Sequence, residues 1–96
     1  MRVRWLRQAL ANLDAIGEYI ARDNVVAAAE TVLRILDAVD QLAVGPSVHI
    51  GRPGRVPATR ELVVTPNCLV PYRVKGDVIE VLRVLLARQR WPEHLP

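Results

Sequence analysis

The sequence holds one cysteine, one lysine, two histidines and no long apolar run. Cys68 has no partner for an internal disulfide and no metal-ligand spacing with His49 or His94, so it reads as a small strand hydrophobe. No metal or other cofactor is implied. No apolar stretch approaches the roughly 18 residues of a membrane span. Met1-Arg2-Val3-Arg4-Trp5 leads into mixed sequence rather than a signal peptide's apolar block, so the expected location is the cytoplasm, with no membrane partner. The one Gly-rich basic segment lacks the Walker spacing and is not a P-loop.

What is present suits a single folded domain over residues 1–96. Hydrophobic residues make up 51 % and charged residues 24 %, enough for a modest core. The net charge of +3 is unevenly placed. Residues 1–45 carry five arginines against six carboxylates, and residues 46–96 carry eight cations against four carboxylates. Such a field favours an acidic or nucleic-acid partner and raises association rates without specifying one. Twelve of the thirteen cations are arginine; bidentate phosphate recognition or a codon bias would each account for that.

Taken in order, Arg2-Val3-Arg4-Trp5-Leu6 alternates charge and apolar bulk as a short strand, with Val3 and Trp5 on one face. From Leu6 the period changes to that of an amphipathic helix, with Leu6, Ala9, Leu10, Leu13, Ile16 and Ile20 on its apolar stripe. The helix ends near Arg22, and Asp23-Asn24 supplies an N-cap for a second helix whose stripe is Val25, Ala28, Ala29, Val32, Leu36, Val39 and Leu42. A connection this short makes the pair an antiparallel hairpin. Gly45 to Ala58, GPSVHIGRPGRVPA, reads as a loop, long for a compact domain, with Arg52 and Arg55 at its Gly-containing bends.

Three strands follow. Arg60, Leu62 and Val64 point one way, and Glu61, Val63 and Thr65 the other. Pro66-Asn67 turns the chain. Gly76-Asp77 suits a two-residue hairpin of the II′ kind, which pairs Lys75 with Val78, Val74 with Ile79, Arg73 with Glu80, Tyr72 with Val81 and Val70 with Arg83. Arg73 and Glu80 then form a cross-strand ion pair, taken here as exposed. Pro71 cannot donate to a ladder and signals a bulge or a free strand side. Val78 to Leu86, apolar apart from Glu80 and Arg83, reads as one central strand. Arg83 is expected either to pair with a carboxylate or carbonyl at the sheet end or to make a functional contact.

The order of these elements, with GRPGRVPATRELVV, PYRVKGDVIEVLRVL and ARQRWP, resembles the RelE/ParE superfamily of type II toxins, closest to its ParE branch, over nearly the whole chain. The resemblance implies an α+β toxin: an N-terminal strand, a helix hairpin and a three-stranded antiparallel meander in one sheet. It further implies a cognate ParD-like antitoxin that covers the helical surface in a hetero-oligomer and, for ParE-like members, inhibition of DNA gyrase that blocks replication. RelE-like ribosome-dependent nucleases carry strand arginines with a Tyr or His near the sheet's end. This chain has Leu69 and Leu86 at the corresponding places, and Arg88 and Arg90 have no general base beside them. His49 and His94 are poorly placed to supply one.

Three functions are therefore weighed. The first is a gyrase inhibitor acting by occupancy, without catalytic residues, through Arg60, Arg83, Arg88, Arg90 and Trp91, with Arg52 and Arg55 as further basic loop residues. The second is an mRNA nuclease. The third is a weakened toxin that only binds its antitoxin, which Leu86 in place of a relative's His would suit. Val26, Ala27 and Leu33 on the helix hairpin are the expected antitoxin contacts. Trp91 fits either an anchor for that partner or a cap on the sheet's own core.

Overall fold

The computed structural model describes residues 1–44 and 51–86. Strand β1 (Arg2–Trp5) runs straight into helix α1 (Arg7–Ala21). No side chain caps α1: Leu6 stays extended, its N–H donates to the Val81 carbonyl and its own carbonyl accepts from Leu10 N–H. Helix α2 (Val25–Val44) starts after three residues and is capped as its sequence suggests. The Ala27 N–H donates to Asn24 Oδ1 at 3.0 Å, meeting one of the N-terminal donors that a helix leaves open.

Strands β2 (Arg52–Pro53), β3 (Arg60–Thr65), β4 (Cys68–Lys75), β5 (Val78–Val81) and β6 (Leu85–Leu86) complete the chain's regular structure among the described residues. The sheet order is β1-β5-β4-β3-β2, with β6 also on β4. The meander β3-β4-β5 is antiparallel, and β1 joins it parallel to β5, which gives a mixed sheet. The helices cover one face. Ala9, Leu13, Ile16, Ile35 and Val39 pack on Val3, Trp5, Leu62, Val64, Cys68, Val70, Val81, Val84 and Leu86, and a second cluster joins Leu42 and Ala43 to Tyr72 and Ile79.

The hairpin forms in the expected register from Lys75–Val78 to Tyr72–Val81. Gly76 has φ +58° while Asp77 does not cross to positive φ, as a II′ turn requires. Beyond Val81 the register slips by one residue. Cys68 faces Leu86 and Leu69 faces Leu85, so the expected Val70–Arg83 pair does not form and the single strand 78–86 is two short ones. Pro71 accounts for the position of the break. Its carbonyl accepts from Leu82 N–H at 2.9 Å, so its nitrogen, on the same side of β4, faces the interruption where no donor is needed.

Two helix-face assignments are corrected. Leu10 and Val25 are 47 % and 71 % exposed, and Ala29 is exposed as well, while Ile35, outside the expected stripe, is 1 % exposed. Helix α2 rests on α1 and on the sheet together, so its buried arc extends to Ile35 and Ala43 and leaves Val25 and Val26 outside.

The segment read as a bare loop also carries structure: β2 pairs with β3, Arg52 opposite Glu61 and Pro53 opposite Arg60. Gly51 lies against the Tyr72 ring, its N–H 3.2 Å from the Tyr72 hydroxyl oxygen. A Cβ at this position would stand 2.5 Å from that oxygen and 2.8 Å from ring Cε1. Gly51→Ala is therefore expected to cost about 1–3 kcal/mol, as overpacked sites do, measured as a lower urea midpoint with an unchanged m value.

Candidate functional site

Charge is divided between the two layers. From Arg7 to Val44 the helical layer holds three arginines against six carboxylates, a balance of −3. The described sheet residues hold eight cations against three carboxylates, a balance of +5. Strand alternation puts Val3, Trp5, Ile79 and Val81 under the helices and sends Arg2, Arg4, Arg73, Lys75, Val78 and Glu80 to the opposite face.

Two buried carboxylates organise this cationic face. Glu80 stands on β5 between Arg4 of β1 and Arg73 of β4. Arg73 Nε donates to Glu80 Oε1 at 2.6 Å, Arg4 Nη1 lies 3.5 Å from Oε2 and Lys75 Nζ 3.8 Å from Oε1. The side chain of Glu80 is 7 % exposed, so the pair read as exposed is a buried carboxylate ringed by cations. The Arg73 hydrogen bond above all, with the charges of Arg73, Lys75 and Arg4, holds the Glu80 carboxyl below its ordinary pKa against the opposing effect of desolvation. Since the folded state binds that proton less readily than the unfolded chain, stability from Glu80 is complete above the unfolded carboxylate value of about 4.3 and is lost as pH falls through the lower folded value. Glu80→Gln is expected to lower stability at pH 7 and to flatten the acid limb of a stability profile between about pH 5 and 3.

Glu61 on β3 is 2 % exposed and fastens the Gly-Arg loop. Its Oε1 accepts from Arg52 Nε at 3.0 Å, and its Oε2 accepts from the Arg55 backbone N–H at 2.9 Å, with Arg55 Nε 3.8 Å away. Arg60 Nη2 donates to the Gly51 carbonyl, and Tyr72 accepts from Gly51 N–H, so both backbone groups of Gly51 are tied to the sheet. Arg52 and Arg55 keep side-chain exposures of 53 % and 56 %. The two guanidinium groups are thus tied to the sheet while more than half exposed, an arrangement suited to carboxylates or phosphates.

Of the residues expected at the target contact, Arg60 is half-buried in the loop clamp and Arg83 is buried at the β5–β6 break, 7 % exposed. Arg88, Arg90 and Trp91 lie outside the described residues. Among the expected antitoxin contacts, Val26 and Leu33 are 66 % and 63 % exposed, about two turns apart on α2, and Ala27 is half-buried. Val44 continues that stripe and is fully on the outside, flanked by Asp37 and Asp40. On α1, Tyr19 is exposed and lies under the Arg22 guanidinium at 5.9 Å. Burial pushes the Cys68 thiol up, which leaves it protonated and inert.

Sequence reasoning missed Glu61 and the inward setting of Glu80. The signal for Glu61 was available: two arginines in a Gly-rich bend beside a strand need an anion on that strand, and Glu61 is the acid in RELVVT.

A helix pair backed on a mixed sheet, with carboxylates gathered on one layer and cations on the other, defines a small α+β protein with two chemically distinct surfaces. The chain belongs to the ParE toxin family: residues 3–91 match the family described as ParE toxin of type II toxin-antitoxin system, parDE. It is 50 % identical over 95 residues to toxin Y4kP of Sinorhizobium fredii, covering 98 % of this chain and 96 % of the relative. It is 37 % identical over 84 residues to toxin RelE2 of Caulobacter vibrioides, covering 86 % and 91 %. Among solved structures, a chain of the chromosomal ParDE system of P. aeruginosa superposes with a TM-score of 0.79 at 34 % identity, over 90 % of this chain and 95 % of that one. At 18 % identity, a YoeB/ParE toxin of Agrobacterium tumefaciens shares the fold, with a TM-score of 0.62 over 90 % and 98 % of the two chains.

Proposed function

We propose that this toxin acts in the cytoplasm by binding DNA gyrase, blocking replication by occupancy, and that a cognate ParD-like antitoxin silences it in a hetero-oligomer. The observation that carries this reading is the charge division: a +5 sheet layer whose exposed cations are fixed by buried Glu61 and Glu80. A preset cationic surface steers and holds an acidic or DNA-bound partner without making or breaking a bond. The contact set comprises Arg60, Arg83, Arg88, Arg90 and Trp91, joined by the clamped Arg52 and Arg55. The antitoxin's amphipathic segment lies on the other layer, its apolar side chains over Val26, Ala27 and Leu33.

The test is a supercoiling assay with purified gyrase and relaxed plasmid. Loss of supercoiling or accumulation of linear cleavage product on adding the chain supports the reading, and undisturbed supercoiling at micromolar chain removes it.

A further inference from the structure

Arg83 differs from most of the sheet cations. Arg2, Arg4, Arg52, Arg55, Arg73 and Lys75 each have a carboxylate within ion-pair distance. Arg83, buried at 7 % exposure, has none among the described residues, and its Nη1 donates at 2.7 Å to the carbonyl of the preceding Leu82. A guanidinium brings five N–H donors, and burying its charge without an anion is among the costlier things a fold can do. A leucine or methionine would fill the same place without that cost.

The backbone around Arg83 is specific rather than loose. The bulge that sets it between Leu82 and Val84 is tied to β4 by Leu82 N–H to Pro71 O at 2.9 Å and to α1 by Val84 N–H to Asn12 Oδ1 at 3.1 Å. Leu82, Val84 and Leu85 beside it in the chain are buried as well, and burial pulls the Arg83 pKa down. Bulges of this kind re-aim a side chain beside functional sites.

We propose that Arg83 is a preset receptor for one carboxylate of the antitoxin, an Asp or Glu side chain beyond the segment that lies on the helical layer, which enters the β5–β6 break and pairs with the guanidinium. This rests on the toxin reading above and names the chemistry of its silencing partner. A carboxylate on a stem of one or two methylenes reaches a group with this little exposure. The phosphates of a duplex, fixed along a stiff backbone, stay outside. The pair then forms where the dielectric is low and both partners are shielded from salt, unlike the exposed contacts of Arg52 and Arg55.

Arg83→Met and Arg83→Lys chains are titrated with the antitoxin by calorimetry at low and high salt, and their stabilities measured alone in urea. The expected result is that Arg83→Met alone is as stable as the unaltered chain or more so, and binds the antitoxin roughly 10- to 100-fold more weakly at both salt concentrations, the loss of a charged hydrogen-bonded pair. Arg83→Lys, which keeps the charge but not the planar fork, is expected to lose part of the affinity, and this holds the proposal testable if the methionine chain fails to fold. Full affinity in either folded variant overturns the proposal and leaves the toxin reading intact. Weakened binding to a short DNA duplex with full antitoxin affinity makes the anion a phosphate and also overturns it. Absence of any complex between the unaltered chain and the antitoxin defeats the reading beneath it.

Discussion

Arg88→Glu together with Arg90→Glu is expected to weaken inhibition of gyrase supercoiling by roughly 10- to 100-fold at low salt, with a smaller difference as salt is raised. The reasoning is electrostatic. The described sheet layer already stands at +5, and in the sequence Arg88 and Arg90 come two and four residues after the end of β6. Reversing both changes the local charge by four, which alters steering into the encounter complex more than it alters the fold. Charge reversal on the helical layer, for instance Arg34→Glu, serves as the control. It changes net charge by two on the opposite surface and is expected to leave gyrase inhibition within about threefold. An equal effect from both variants would mean that total charge, rather than the sheet surface, governs binding.

The second large effect is on stability. Ile79→Ala removes a side chain with no exposed surface from the cluster of Leu42, Ala43 and Tyr72, on the strand that joins parallel β1 to the antiparallel meander. The expected loss is about 3–4 kcal/mol, from lost transfer energy and an unfilled cavity. Against a total of roughly 5–14 kcal/mol for a chain of this size, that is a large share, and a drop of about 15 °C or more in Tm is expected. Calorimetry of the free chain measures it. A partner that binds the folded form stabilises it by mass action, so the variant's Tm is expected to recover in the complex as antitoxin concentration rises.

Much of this architecture is legible in residues whose local chemistry allows one answer. Gly76-Asp77 sets the hairpin and its register because glycine alone takes the positive φ of that turn without strain, and Asn24 caps α2 because its side chain reaches a donor three residues on. Pro71 announces an irregularity, and one occurs opposite it. What the sequence conceals is settled between distant segments. Alternation places Val3 and Trp5 on one face but says nothing of β1 lying parallel to β5 at the sheet's edge, a choice made by packing against α1 and α2. The one-residue slip after Val81 belongs to the strand facing Pro71, so Pro71 marks its level without saying which residues bulge. The buried Ile35 and exposed Val25 follow from α2 touching two layers, where a single-stripe reading assumes one.

At the site the division is similar. A basic second half is visible in the residue order, and so is the exposed Val26–Leu33 stripe on a helix that has more apolar residues than one face can hold. The two carboxylates that fix the cations are less so: Glu61 is signalled only by the arginines of the neighbouring bend, and Glu80 reads as an ordinary outward strand residue until β1 comes in beside it. Their burial turns a set of long, mobile arginines into a surface of fixed shape. Arg83, with a carbonyl and no carboxylate as its partner among the described residues, falls outside this pairing.

The central claim, inhibition by occupancy of a topoisomerase, is tested most directly by giving one preparation of purified chain two substrates side by side: gyrase with relaxed plasmid, and translating ribosomes with a defined message. The account predicts arrested supercoiling, relieved by stoichiometric antitoxin, with the message intact. Cleavage of the message with supercoiling unaffected would contradict it.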